Sequence, residues 1–153
     1  MIEPLRISFE VWCSPAHAFA TWTEKATAWW PKGHTVSRSD DLAIVFEPRV
    51  GGRIYERARG GQTFKWGEVR AWDPPDRIAY LWHIGTDRES ATEVEIRFLE
   101  IDPERTRVEI VHGGWERLGA ERGAAWREQN QGGWDGVIPF YSAACAAGQA
   151  AID

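Results

Sequence analysis

The pattern of this chain predicts an α+β fold in which a curved antiparallel β-sheet wraps around one long C-terminal α-helix. Three observations predict it. Runs of alternating apolar and polar residues follow one another through the middle of the chain, separated by tight turns. Two short helical segments come after the first such run. A final segment repeats apolar residues at helical spacing, and no other long amphipathic element is available to cover the sheet.

Each element has a local reason. Leu5 to Trp12 sets Ile7, Phe9 and Val11 against Arg6, Ser8 and Glu10, a first strand. Ser14-Pro15 supplies an N-cap and a first-turn proline, and Ala16, Phe19, Ala20 and Thr23 follow at helical spacing. Glu24 to Trp30 reads as a second short helix stopped by Pro31-Lys32-Gly33. After a polar loop over residues 34–41, strands are expected at Ala43–Glu47, Arg53–Arg59 and Phe64–Trp72, with glycine-rich turns between them. Gly67 inside the third of these predicts a bulge or a close approach. Asp73-Pro74-Pro75-Asp76 turns the chain into Arg77–Ile84, with Ile78, Tyr80, Trp82 and Ile84 on one face. Thr92–Glu100 and Thr106–His112 then alternate cleanly, one apolar face against one charged face. A short helix is expected near Ala120–Gln129, Gly132-Gly133 reads as a turn, and the last helix runs from about Gly132 to Ala151. Its stripe is Trp134, Val137, Ile138, Tyr141, Cys145 and Gly148. Pro139 is a misfit in that helix and predicts a bend or a helix start beside it.

Size and composition bound the function. The 153 residues, 43% hydrophobic and 27% charged, fit a single domain over residues 1–153 with one core. A net charge of −5 argues against nucleic acid as a partner. No apolar run approaches the roughly 20 residues of a membrane span, and no signal-peptide pattern opens the chain, so membrane insertion is not expected and a cytoplasmic location is. Cys13 and Cys145 lack metal spacing and read as small core hydrophobes. The four histidines show no ligand spacing either, so neither metal nor cofactor is expected. A homodimer, the commonest assembly, stays open.

Ten tryptophans in so short a chain are the compositional outlier. They predict a bulky core, an aromatic-walled cavity, or both. The sheet and helix should leave a pocket for a small apolar molecule, with walls drawn from Trp30, Glu56, Trp66, Tyr80, Trp82, Phe98, Ile110, His112, Trp115 and Tyr141. Two of these could carry chemistry. Glu56 shares the face of Ile54 and Ala58, so it is a buried acid or base, or else an ion-pair partner of Arg70 or Arg107. His112 shares the face of Val108 and Ile110, as a base, a ligand-orienting group or a satisfied core histidine. By alternation, His83 should point to solvent. Trp115 should lie near the pocket mouth, and Tyr141 offers a hydroxyl either to the cavity or to a backbone carbonyl.

Several motifs carry a resemblance. Gly51-Gly52-Arg53-Ile54-Tyr55-Glu56 resembles the glycine-pair strand of the homologues of the heat-shock protein 90 ATPase activator. Trp66-Gly67-Glu68-Val69, Trp72-Asp73-Pro74-Pro75-Asp76-Arg77-Ile78 and Tyr80-Leu81-Trp82 resemble that family's next hairpin. The likeness continues in order through Thr92–Ile96, Thr106–Val108, His112–Trp115 and Gly133-Trp134, with Trp29-Trp30 resembling an early tryptophan motif. That family lies in the START-like, or SRPBCC, superfamily. The resemblance therefore implies the helix-grip (START-like, Bet v-like) fold and a hydrophobic-ligand pocket. A cyclase- or hydrolase-like enzyme and a co-chaperone-like interaction module are the alternatives it allows. The first strand is expected to begin already at Leu5, so the N-terminal domain of the co-chaperone is not expected here and neither is a heat-shock chaperone as partner.

Overall fold

Alternation in the chain becomes a seven-stranded antiparallel sheet in the protein's structure, a computed structural model that describes residues 2–152 and side chains as far as Gly148. The strands are β1 (Leu5–Val11), β2 (Ala43–Phe46), β3 (Arg53–Arg57), β4 (Thr63–Asp73), β5 (Arg77–Trp82), β6 (Thr92–Asp102) and β7 (Arg105–Gly113). Their order is β1-β7-β6-β5-β4-β3-β2. Two short helices, α1 (Pro15–Trp22) and α2 (Ala26–Trp29), follow β1. The helix α3 (Ala120–Ile152) packs across the concave face against β1, α1 and α2.

The two faces of the sheet follow from side-chain period two. Ile54, Ile78, Ile96, Val108 and Ile110 point inward and are fully or almost fully buried. The opposite face carries ion pairs such as Arg77–Glu95 and Arg97–Glu95, at 2.8 and 3.0 Å. Helix α1 starts as its sequence requires: the Ser14 hydroxyl accepts from the His17 N–H at 3.2 Å, and Pro15 occupies the first turn.

At Gly67 the structure shows both of the alternatives expected there, a bulge and a close approach. The β3–β4 register slips between Ile54 and Tyr55, leaving Trp66 as the extra residue of a bulge. Gly67 itself pairs with Trp82, and a Cβ there would overlap the Leu81 carbonyl oxygen.

The last helix departs from expectation. It starts at Ala120, runs through Gly132-Gly133 without a turn, and is 33 residues long with Pro139 inside it. Glycine costs about 1 kcal/mol and proline about 3 kcal/mol in a helix interior. Packing overrides these costs, because Trp134, Val137, Tyr141 and Cys145 are all buried on one stripe. Pro139 and Asp135, whose carbonyl loses its partner, both face solvent, where water can replace the bond. No helix among the described residues is long and apolar enough to cross a membrane. Cys13 and Cys145 are buried free thiols whose side chains meet.

Candidate functional site

The tryptophans do not scatter through the core; six of them touch in series. Trp134 stacks on Trp22 (ring centres 5.8 Å apart), and Trp22 meets Trp29 at 5.4 Å. Trp29 meets Trp30 at 5.3 Å, and Trp30 meets Trp66 and Trp82 at 5.1 and 6.1 Å. Three members of this series, Trp30, Trp82 and Trp134, line a hollow of about 420 Å³. Its walls are the end of β5 (Tyr80, Trp82, His83, Ile84), the loop from His34 to Arg38, and the middle of α3 (Trp126, Gln129, Asn130, Gly133, Trp134, Val137).

The 34–38 loop is positioned by bonds the sequence does not announce. The Trp30 indole N–H donates to the His34 carbonyl at 3.0 Å. Gly136 lets the His34 ring lie on α3, since a Cβ there would sit 2.9 Å from its Nε2. Glu56 is the main anchor. Its carboxylate accepts from the Val36 N–H, the Ser37 N–H (3.0 Å), the Ser37 hydroxyl (2.6 Å) and the Trp66 indole N–H (2.8 Å). It makes no ion pair with Arg70, which pairs with Glu68, or with Arg107, which pairs with Glu109. Burial works to raise the Glu56 pKa, but the bonds donated by Ser37, Val36 and Trp66 outweigh it and hold the carboxyl below its usual value.

A pH dependence follows. The folded-state pKa lies below the unfolded value of about 4.3, so this anchor contributes in full at neutral pH. It is lost as the pH falls through the folded value. We expect the Trp66 indole N–H resonance to hold its position from pH 7 to about 4.3 and to move only below that. A midpoint above 5 would show that burial, not hydrogen bonding, governs the group.

His112 is equally occupied. The Trp134 indole N–H donates to its Nδ1 at 3.0 Å, which leaves the proton on Nε2. Nε2 lies 2.7 Å from the Thr92 hydroxyl, and that hydroxyl reaches the Trp82 carbonyl at 3.4 Å. Burial pushes the His112 pKa down to about 3, so the ring is neutral and ties α3 to β5 and β6.

Three of the ten residues expected on a pocket wall line the hollow: Trp30, Tyr80 and Trp82. Trp66, Glu56 and His112 stand directly behind that wall and hold it. Phe98, Ile110, Trp115 and Tyr141 lie in the solid core. Trp115 is fully buried rather than at a mouth, because the chain winds into a 3-10 turn at Trp115–Leu118 and its N–H bonds the His112 carbonyl at 3.1 Å. The Tyr141 hydroxyl donates to the Ala18 carbonyl at 2.7 Å. His83 is corrected outright. It is 5% exposed and lines the hollow, because β5 ends at Trp82 and alternation ends with it. Sequence reasoning also passed over Trp126, Gln129, Asn130 and the 34–38 loop. Trp134 carried a signal, its place on the helical stripe.

The family described as "Activator of Hsp90 ATPase homolog 1-like protein" matches residues 12–138. The chain belongs to that family. Among solved structures, this family member is 32% identical to an anthrahydroquino-gamma-pyrone synthase solved in complex with a ligand, covering 82% of this chain and 86% of that one, TM-score 0.58. It is 24% identical to a self-sacrificing resistance protein of Micromonospora echinospora (84% and 83% covered, TM-score 0.57). It is 18% identical to an HSP90 activator of Plasmodium falciparum (89% and 90% covered, TM-score 0.63). These likenesses carry the helix-grip fold. No curated protein is similar enough to count as a match.

Proposed function

We propose that this family member binds a flat, fused-ring aromatic molecule in the hollow between the end of β5, the 34–38 loop and α3. The observation that carries the reading is the wall: Trp30, Trp82, Trp126 and Trp134 border one space of about 420 Å³, within the range of small-molecule sites. Indole faces stack on flat ligands at little conformational cost. The 32% identical synthase supports the ligand class, since an anthrahydroquino-pyrone is itself a flat fused-ring molecule.

Titrating the protein with 1-hydroxyanthraquinone should quench its tryptophan emission saturably, with micromolar affinity. Trp82→Ala should weaken that affinity about tenfold, which corresponds to about 1.4 kcal/mol. Quenching that never saturates, or an unchanged affinity in the variant, would refute the reading.

Catalysis in the same hollow is the second reading, favoured by the synthase relative. Glu56 and His112 are poorly suited to it, since every bonding position described above is taken within the protein. The histidines and tyrosine on the wall itself, His34, His83 and Tyr80, are the groups left for acid–base work.

A further inference from the structure

One residue on the wall carries a buried polar group with no hydrogen-bond partner among the described residues. His83 follows Trp82 at the end of β5, and its backbone is clamped. Its N–H donates to the Trp66 carbonyl at 2.6 Å, and its carbonyl accepts from the Thr86 N–H and hydroxyl at 2.9 and 3.0 Å. The side chain therefore leaves a fixed point on the wall. His83 lines the hollow, and its ring nitrogens Nδ1 and Nε2 are both buried from solvent with no hydrogen-bond partner among the described residues. The carbonyls of His83 and Thr86 approach the ring without reaching bonding geometry.

Such an arrangement costs free energy unless something completes it. A buried polar group left unmatched is destabilising, and the penalty is recovered when a partner arrives. Burial lowers the His83 pKa, so at neutral pH the ring is neutral and offers one N–H donor and one lone pair. The terminal torsion of histidine is broad, so the ring can rotate about it to present a nitrogen to a ligand in the hollow. Tyr80, three residues earlier and within β5, adds a second polar group to the wall. Its pKa is raised by burial, so it stays a neutral phenol, and the unpartnered indole N–H of Trp22 leans toward its hydroxyl. Among the described residues no carboxylate lines the hollow to compete for a ligand's hydroxyl hydrogen.

We propose that His83 is an oxygen-recognition subsite, and that the hollow selects phenols over aromatic molecules that lack a hydroxyl. A phenolic O–H both donates and accepts, matching either nitrogen of a neutral imidazole. The inference rests on the aromatic-binding reading above and narrows its ligand class. A site built to bond a hydroxyl rejects the analogue that lacks one, because the site's own polar group is then left unmatched.

The test compares 2-naphthol with 2-methylnaphthalene by fluorescence titration of the wild type, His83→Phe and His83→Gln. The wild type should bind 2-naphthol about tenfold more tightly, the effect of one hydrogen bond of about 1.4 kcal/mol. His83→Phe should erase that preference while keeping its affinity for 2-methylnaphthalene. His83→Gln, which retains a donor and an acceptor, should restore part of it. An equal preference in His83→Phe and wild type overturns the subsite and leaves the aromatic-binding reading standing, as does a wild type that binds both probes alike. Binding of neither probe overturns both. The wild type also gives a reading that needs no variant. Its His83 ring nitrogen resonances should move with 2-naphthol and not with 2-methylnaphthalene, and resonances that stay still with 2-naphthol overturn the subsite.

Discussion

Glu56→Ala is expected to cost about 3–5 kcal/mol and to lower the melting temperature by about 10 °C. The carboxylate is fully buried and collects four donors: two backbone N–H groups, one hydroxyl and one indole. Truncation removes their common acceptor. The Trp66 indole N–H is then left buried and unmatched, and the Val36 and Ser37 amides must find water. The loop from His34 to Arg38 should detach first, because its other ties gather at its start: the Trp30–His34 bond, the packing of His34 on Gly136, and the bonds from the His34 N–H and the Thr35 hydroxyl to the Pro31 and Lys32 carbonyls. Limited proteolysis should cut there in the variant well below its melting temperature. Since this loop is one wall of the hollow, ligand-induced quenching should weaken in parallel. A melting temperature within 2 °C of wild type, or cleavage that begins elsewhere, would remove Glu56 from its role as anchor.

Gly67→Ala should be comparably severe, with a loss of about 3–5 kcal/mol. The neighbour a new Cβ would strike is a backbone carbonyl, that of Leu81, and a carbonyl inside a paired strand has no rotamer to retreat into. Relief requires β4 and β5 to part where Gly67 faces Trp82. Trp66 precedes the glycine and Trp82 opposes it, and their rings meet at 5.7 Å behind the hollow. The substitution therefore perturbs stability and the aromatic wall through one displacement. Chemical denaturation measures the first, and the tryptophan emission maximum reports the second. Stability within 1 kcal/mol of wild type would mean that the strands yield more easily than their pairing implies.

The strands were legible because their information is local. Val94, Ile96 and Phe98 alternate with Glu93, Glu95 and Arg97, and that period alone decides which face is buried. His83 shows where the rule stops. Alternation assigns it to solvent, but the pattern holds only while the strand does, and β5 ends one residue before it. The length of α3 was hidden for a different reason. Gly132, Gly133 and Pro139 all argue locally for a break, and the packing that overrules them involves residues of α1, α2 and β1.

The sheet, its inward face, the two helices after β1 and the aromatic excess that suggests a cavity could all be read from the chain. These are properties of neighbours in the chain, governed by side-chain period and turn chemistry. What Glu56 and His112 do emerged on folding. Their partners Val36, Ser37, Thr92 and Trp134 lie about 20 residues away, and a hydrogen bond over that separation leaves no periodic trace. The hollow was decided in the same way, since strand end, loop and helix become one wall only after the chain has closed on itself.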